Sequence, residues 1–317
     1  MSYTYWNEFF EAWRNLPENL MEELNPQHPV DTISGWTNPN LYPLLNSNNN
    51  YGNGGNTDYS LKYIPEPWWG YNGNIQDKLH AVVVNFNPGG GGPLQSRNNI
   101  NRLLGLQPLA YSQFVNYEVA SDNRQLVPTY RFHSYDRAQR IFNALEGIEP
   151  SIQGLNLRNF LSIELIPWHT PGVDDIVKQY ILANIKQVYE HSILFASDSA
   201  KNIANDSLRN KVIMRINGSF TCELLQALAN NNLINGFTIL NTPVQDQIRT
   251  THCRNRAMHY YSFPQNDKYR IGYMPFKIDH ERCHNTIFIS IWGTQTRNDF
   301  PAKNLLEWFF MNILRNL

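Results

Sequence analysis

No apolar run in this chain approaches the roughly 18–20 residues that a helix needs to span a bilayer. Its start, Met1-Ser-Tyr-Thr-Tyr-Trp-Asn-Glu8, has neither the basic flank nor the apolar core of a secretory signal. The expectation is a soluble, cytoplasmic protein with no membrane partner. Cysteine is sparse. Cys222, Cys253 and Cys283 are the three in the chain, an odd number and widely spaced, which argues against a disulfide framework. An excess of one charge is lacking too, and a formal net charge of −1 excludes a uniformly basic nucleic-acid binder. The distribution is nevertheless uneven. Residues 1–66 carry eight acidic residues against Arg14 and Lys62, whereas residues 201–317 carry 14 Lys and Arg against 8 Asp and Glu. That excess allows a locally basic face, and it is equally what charges scattered over a solvated surface would give.

Several catalytic signatures are missing. No Gly-x-Ser-x-Gly elbow occurs, so Gly218-Ser219 reads as a turn and helix cap rather than a nucleophile. Gly89 to Gly92 lacks the Gly-Lys-Ser/Thr ending of a phosphate-binding P-loop, and Pro93 interrupts any Gly-x-Gly-x-x-Gly run into a helix. Nucleoside triphosphates and dinucleotides are therefore poor candidates.

What is present is a folded composition: 317 residues, 42% hydrophobic and 13% aromatic, enough to bury a large core. The most informative stretch is Ala81-Val-Val-Val-Asn-Phe-Asn-Pro-Gly-Gly-Gly-Gly-Pro93. Three β-branched valines suit a strand buried on both faces, and Pro88 with the glycines ends it, delivering Asn87 to a loop of bare backbone. Beyond it the pattern predicts a helix at 137–145, a strand at 160–166, a long amphipathic helix at 174–196 and a strand at 211–216. Ser219 is expected to cap a helix over 220–229, with further strands at 236–240 and 286–292 and a terminal helix at about 302–314. Alternating strands and helices imply an α/β fold, a three-layer α/β/α sandwich on a mainly parallel central sheet. Residues 1–66, with helically spaced Trp6, Phe9, Phe10 and Trp13 and an Asn/Gly-rich loop at 46–57, read as an N-terminal helical extension packed on that core. Residues 67–317 read as one α/β domain. Ligands in such folds bind beyond the carboxyl ends of the strands, where the loops 87–93, 167–172 and 241–247 are expected.

Three segments carry a family likeness. Asn85-Phe86-Asn87-Pro88-Gly89 resembles the first motif of the uracil-DNA glycosylase superfamily, in the Gly-x-Asn-Pro-Gly form of its thymine- and mismatch-specific members. Leu161-Ser-Ile-Glu-Leu-Ile-Pro-Trp-His-Thr-Pro-Gly172 is similar to its strand and loop bearing a base-recognition residue. Lys211 to Gly218, followed by Phe237-Thr-Ile-Leu-Asn-Thr-Pro243, resembles the run that precedes its late His-Pro motif. Order and rough spacing agree over residues 80–250. The departures are specific: position 85 is Asn where the motif begins with Gly, Glu164 stands where a base-reading Asn is expected, and Thr242 replaces the late His.

The resemblance implies DNA as partner, no cofactor, and cleavage of an N-glycosidic bond, with Asn87, Glu164 and His169 as the catalytic set. Such cleavage must position a water, stabilise an oxocarbenium-like sugar and donate to the departing base. The Asn87 amide can hold the water, and Glu164 is a stronger acid or base than the amide it replaces. His169 can donate to a base carbonyl or a phosphate. The implied substrate-binding set is Phe86, Pro88, Gly89, Gly90, Trp168, Asn241, Thr242 and Pro243, with Phe86 and Trp168 stacking on an extruded base and the glycines admitting a phosphate or sugar to the main chain. The same residues admit packing roles. Asn87-Pro88 is a common turn former, Glu164 can pair with a buried Arg, His169 can be a hydrogen-bonded loop residue, and Phe86 and Trp168 can belong to the core. The alternative function is a non-catalytic member of the fold that binds nucleic acid or protein.

A second cluster, His252, Cys253, His280, Cys283 and His284, contains zinc-ligand side chains but lacks the paired Cys-x-x-Cys element, and no metal is assigned to it. Arg249, Arg254, Arg256 and Arg282, interleaved with Tyr260, Tyr261, Phe263 and Tyr269, suit single-stranded nucleic acid or an ordinary β-hairpin surface.

Overall fold

The computed structural model describes residues 68–71, 78–86, 141, 143–147, 159–166, 175–242, 248–253, 256–263, 266–293 and 301–317. The expected N-terminal extension, 1–66, lies outside them. The valine run forms β2 (Ala81–Asn85), buried along its whole length, and Phe160-Leu-Ser-Ile-Glu forms β3 (Phe160–Glu164), equally buried. Before them lies the short β1 (Trp68–Gly70). The long helix predicted after β3 is observed with two departures. It runs as α1 (Asp175–Ala183), α2 (Ile185–Val188), a π-helical turn (Tyr189–Leu194) and α3 (Phe195–Ala200). Then come β4 (Lys211–Met214), α4 (Gly218–Asn230), β5 (Gly236–Ile239), β6 (Ile248–Cys253), β7 (Arg256–Phe263), β8 (Asn266–Asp279), β9 (Ile287–Gly293) and α5 (Lys303–Asn312).

The nine described strands form one mixed sheet in the order β1-β3-β2-β4-β9-β8-β7-β6, with β5 paired to β8. This corrects the expectation of a mainly parallel sheet. β2 pairs in parallel with β3 and β4, and β4 with β9, but all the other pairings are antiparallel. The reason is the hairpin sequence between residues 248 and 293. Short connections join β6 to β7 to β8 to β9, and a short connection can only reverse the chain. β9 thereby pairs with β4, and β5 pairs with β8.

Side-chain alternation sorts the helices. Met274 and Tyr273 are neighbours on β8 and point to opposite faces. Cys222 of α4 places its Sγ 3.8 Å from Met274 Sδ, whereas Tyr273 meets Phe309 of α5 with ring centroids 5.3 Å apart. The two helices therefore cover opposite faces of β8. α4 begins at Asn217, whose side chain accepts from the Phe220 N–H at 2.9 Å. The cap is thus Asn217, not Ser219. Asn217 has extended backbone geometry, φ −68° and ψ 151°, which lets a side chain reach forward to the orphan amides of the first turn. At the other end of the sheet, Lys211 donates to the carbonyls of Ser207 and Leu314, at 3.0 and 2.6 Å, and ties the start of β4 to the C-terminal turn.

Candidate functional site

The parallel strands occur along the sheet as β3-β2-β4-β9, so the chain leaves β2 in one direction to form β3 and returns past β2 to form β4. This reversal makes the carboxyl ends of β2 and β4 a topological switch point, the place where open α/β sheets leave a crevice. Register brings three polar side chains to that level. Asn85 pairs with Glu164, and because Val83 pairs with Ile213 and Val84 with Met214, the next residue of each strand, Asn85 and Arg215, also stand side by side. The Arg215 N–H donates to Val84 O at 2.7 Å and the Leu165 N–H to Asn85 O at 2.9 Å, which extends both ladders past the strand ends.

The three side chains are joined. Asn85 Nδ2 donates to Ser162 Oγ at 2.5 Å and to Glu164 Oε1 at 3.1 Å, and Arg215 Nη1 donates to Asn85 Oδ1 at 2.6 Å. Neighbouring strands lie about 4.8 Å apart, so carboxylate and guanidinium belong to backbones roughly 10 Å apart with one amide bridging them. Glu164 is 3% exposed and Asn85 5%, while Arg215 is half-buried. A buried carboxylate without such partners would be strongly unfavourable. By alternation the row shares the sheet face of Ile213 and Tyr273, opposite the face that α4 covers. The π-helical turn packs behind β3, where the Ser192 hydroxyl donates to the carbonyl of Glu164 at 2.9 Å. π-Helical turns recur at functional sites.

No family model matches this chain, and comparisons with curated proteins and with solved structures give no match.

Of the residues singled out from sequence, Glu164 stands in the row, at the carboxyl end of β3. Phe86 is buried, with its ring 5.0 Å from that of Phe220 on α4, so it packs on the other face. Asn241 is exposed and Thr242 buried, both just beyond β5. β5 is separated from β4 by β9 and β8, so the sheet order does not set these two beside the row. Asn87, Pro88, Gly89, Gly90, Trp168, His169 and Pro243 lie outside the described residues. Sequence reasoning missed Arg215 and gave Asn85 no role. The signal for Arg215 was a cation directly after the apolar Val212-Ile-Met214 run of the strand that Lys211 opens.

The cysteine- and histidine-bearing segment resolves differently. Residues 280–286 join β8 to β9 at the opposite end of the parallel strands and clamp onto α3. Asp198 accepts from Lys201 Nζ at 2.9 Å and from Arg282 Nε at 3.0 Å, with a second short contact to Arg282 Nη2. Ser197 Oγ donates to the Arg282 carbonyl at 2.9 Å and lies 2.7 Å from Thr286 Oγ1. Cys283 is a free, fully buried thiol beside Ser197 and Tyr189. Burial pushes the Cys283 thiol up from its ordinary value, and burial together with the neighbouring Cys283 raises the Tyr189 phenol. A buried thiol held protonated is a poor nucleophile. Among the described residues no group of three or more His, Cys, Asp and Glu is placed to hold a metal. Cys222 is disulfide-bonded, contrary to the expectation drawn from the odd cysteine count. No described helix is long and apolar enough to cross a membrane.

Proposed function

We propose that the chain is a uracil-DNA-glycosylase-like hydrolase that cleaves the N-glycosidic bond of a nucleobase in DNA, in the manner of a repair enzyme. The observation that carries the reading is the placement of the Glu164 carboxylate at the switch point, in one hydrogen-bonded row with Arg215. In this reaction a water oxygen bonds to the sugar C1′ while the C1′–N bond breaks, and the bonding electrons leave with the base. Glu164 accepts the water's proton, and its negative charge favours the oxocarbenium-like sugar. The guanidinium of Arg215 favours the departing base anion. By resemblance, Asn87 orients the water and His169 supplies a proton to the base. A three-layer α/β/α arrangement, a helical extension over 1–66, DNA as partner and a cytoplasmic location belong to the same reading.

The burial of Phe86 against Phe220, and of Glu164 to 3% exposure, favours a second reading, in which the row is structural and the protein binds nucleic acid or protein without chemistry. Incubation with uracil-, hypoxanthine- and thymine-mismatch oligonucleotides separates the two. The hydrolase yields alkali-labile abasic product that Glu164→Gln abolishes. Absence of product from every substrate overturns the first reading, and salt-dependent DNA binding without base release supports the second.

A further inference from the structure

Asn85 stands where the motif it resembles has glycine, and its side chain fills the space between Glu164 and Arg215. Its amide is fixed from both sides. Only Oδ1 can accept from Arg215 Nη1, and only Nδ2 can donate to Ser162 Oγ and Glu164 Oε1, so the orientation is dictated rather than chosen. One small residue thus sets the position of the carboxylate and links it to the guanidinium. Among the described elements packed on Glu164, Ser192 holds its main-chain carbonyl and contributes no charge. Beside Ser192, Glu190 pairs with Lys186 at 3.9 Å, and His191 is half-buried.

We infer that Asn85 is a positioning residue that aims the Glu164 carboxylate and couples it to Arg215, so that this amide controls the pH response of the site. The inference rests on the hydrolase reading above. A glycine at this position would leave Glu164 and Arg215 without their bridge, and an aspartate would set two carboxylates side by side, so that one holds its proton to higher pH. Because both changes act through Glu164 and Arg215, the effect falls on the rate of the chemical step rather than on binding.

The experiment measures kcat, KM and the pH profile of base release by wild type, Asn85→Asp, Asn85→Ser and Asn85→Leu, with thermal melts to verify folding. The expected result is a fall in kcat of about 10–100-fold for Asn85→Ser and Asn85→Leu with KM within about twofold of wild type. In Asn85→Asp the acidic limb of the kcat profile moves up by about one pH unit or more. Arg215→Met is expected to lower kcat in wild type and to have little further effect in the Asn85→Leu background. A folded Asn85→Asp with the wild-type profile, or strictly additive Asn85 and Arg215 effects, overturns the inference and leaves the hydrolase reading standing. Absence of product from wild type overturns both.

Discussion

Gly272 of β8 lies directly beneath the indole of its cross-strand partner Trp292, and a Cβ at position 272 would stand inside the ring. A glycine weakens a strand, and here the aromatic ring covers the gap it leaves. Gly272→Ala is expected to lower stability by about 1–3 kcal/mol through overpacking, and Gly272→Val by more. Urea denaturation checks this, and adding Trp292→Leu to Gly272→Ala should restore part of the loss because the two changes share one space.

Asp198 anchors the segment 280–286. Its side chain is 10% exposed, while Arg282 and Lys201 are 42% and 36% exposed, so solvent screens the cations more than the anion. Asp198→Ala should cost about 1–2 kcal/mol, below the range for a fully buried pair. Lys201→Ala should cost less than about 1 kcal/mol, since Arg282 still holds the carboxylate. Thermal melts at low and high salt check both, with the larger salt dependence expected in wild type.

The thiol of Cys283 and the phenols of Tyr189 and Tyr261 are all held above their ordinary values by burial. In each case the unfolded chain releases its proton first, so stability present at neutral pH falls as pH rises through about 9 for the thiol and about 10 for the phenols. Lys211 acts in the opposite sense. Burial lowers its value, and its contribution increases with pH up to about 10.5. The expected net result is a loss of stability above about pH 9. Cys283→Ser should flatten the first part of that decline, measured as denaturation midpoints from pH 7 to 10.

Asn217→Ala is expected to destabilise the protein by about 1 kcal/mol and Ser219→Ala by much less, because the Phe220 N–H is held by Asn217. Paired denaturation curves distinguish the two.

The strands at 81–85, 160–164 and 211–214 were legible because β-branched and apolar runs ended by Pro, Asn or Gly admit few other readings. The mixed character of the sheet was not. Residues 248–293 carry strand patterns whose partners depend on connection length and on which edge is open, and the strand at 236–239 pairs antiparallel with β8 although its own sequence resembles a parallel core strand. The helix cap was not legible for a similar reason: Asn217 and Ser219 can both cap, and backbone geometry selects Asn217.

For the candidate site, sequence alone placed Glu164 near the end of a buried strand predicted over 160–166, Asn85 near the end of one over 81–86 and Arg215 within one over 211–216, because hydrophobic runs show roughly where strands lie. Only the tertiary structure decided that these three ends lie level on adjacent strands and on one face of the sheet. Pairing register is a relation between segments 79 and 130 residues apart, and a slip of one residue would have turned each side chain to the opposite face.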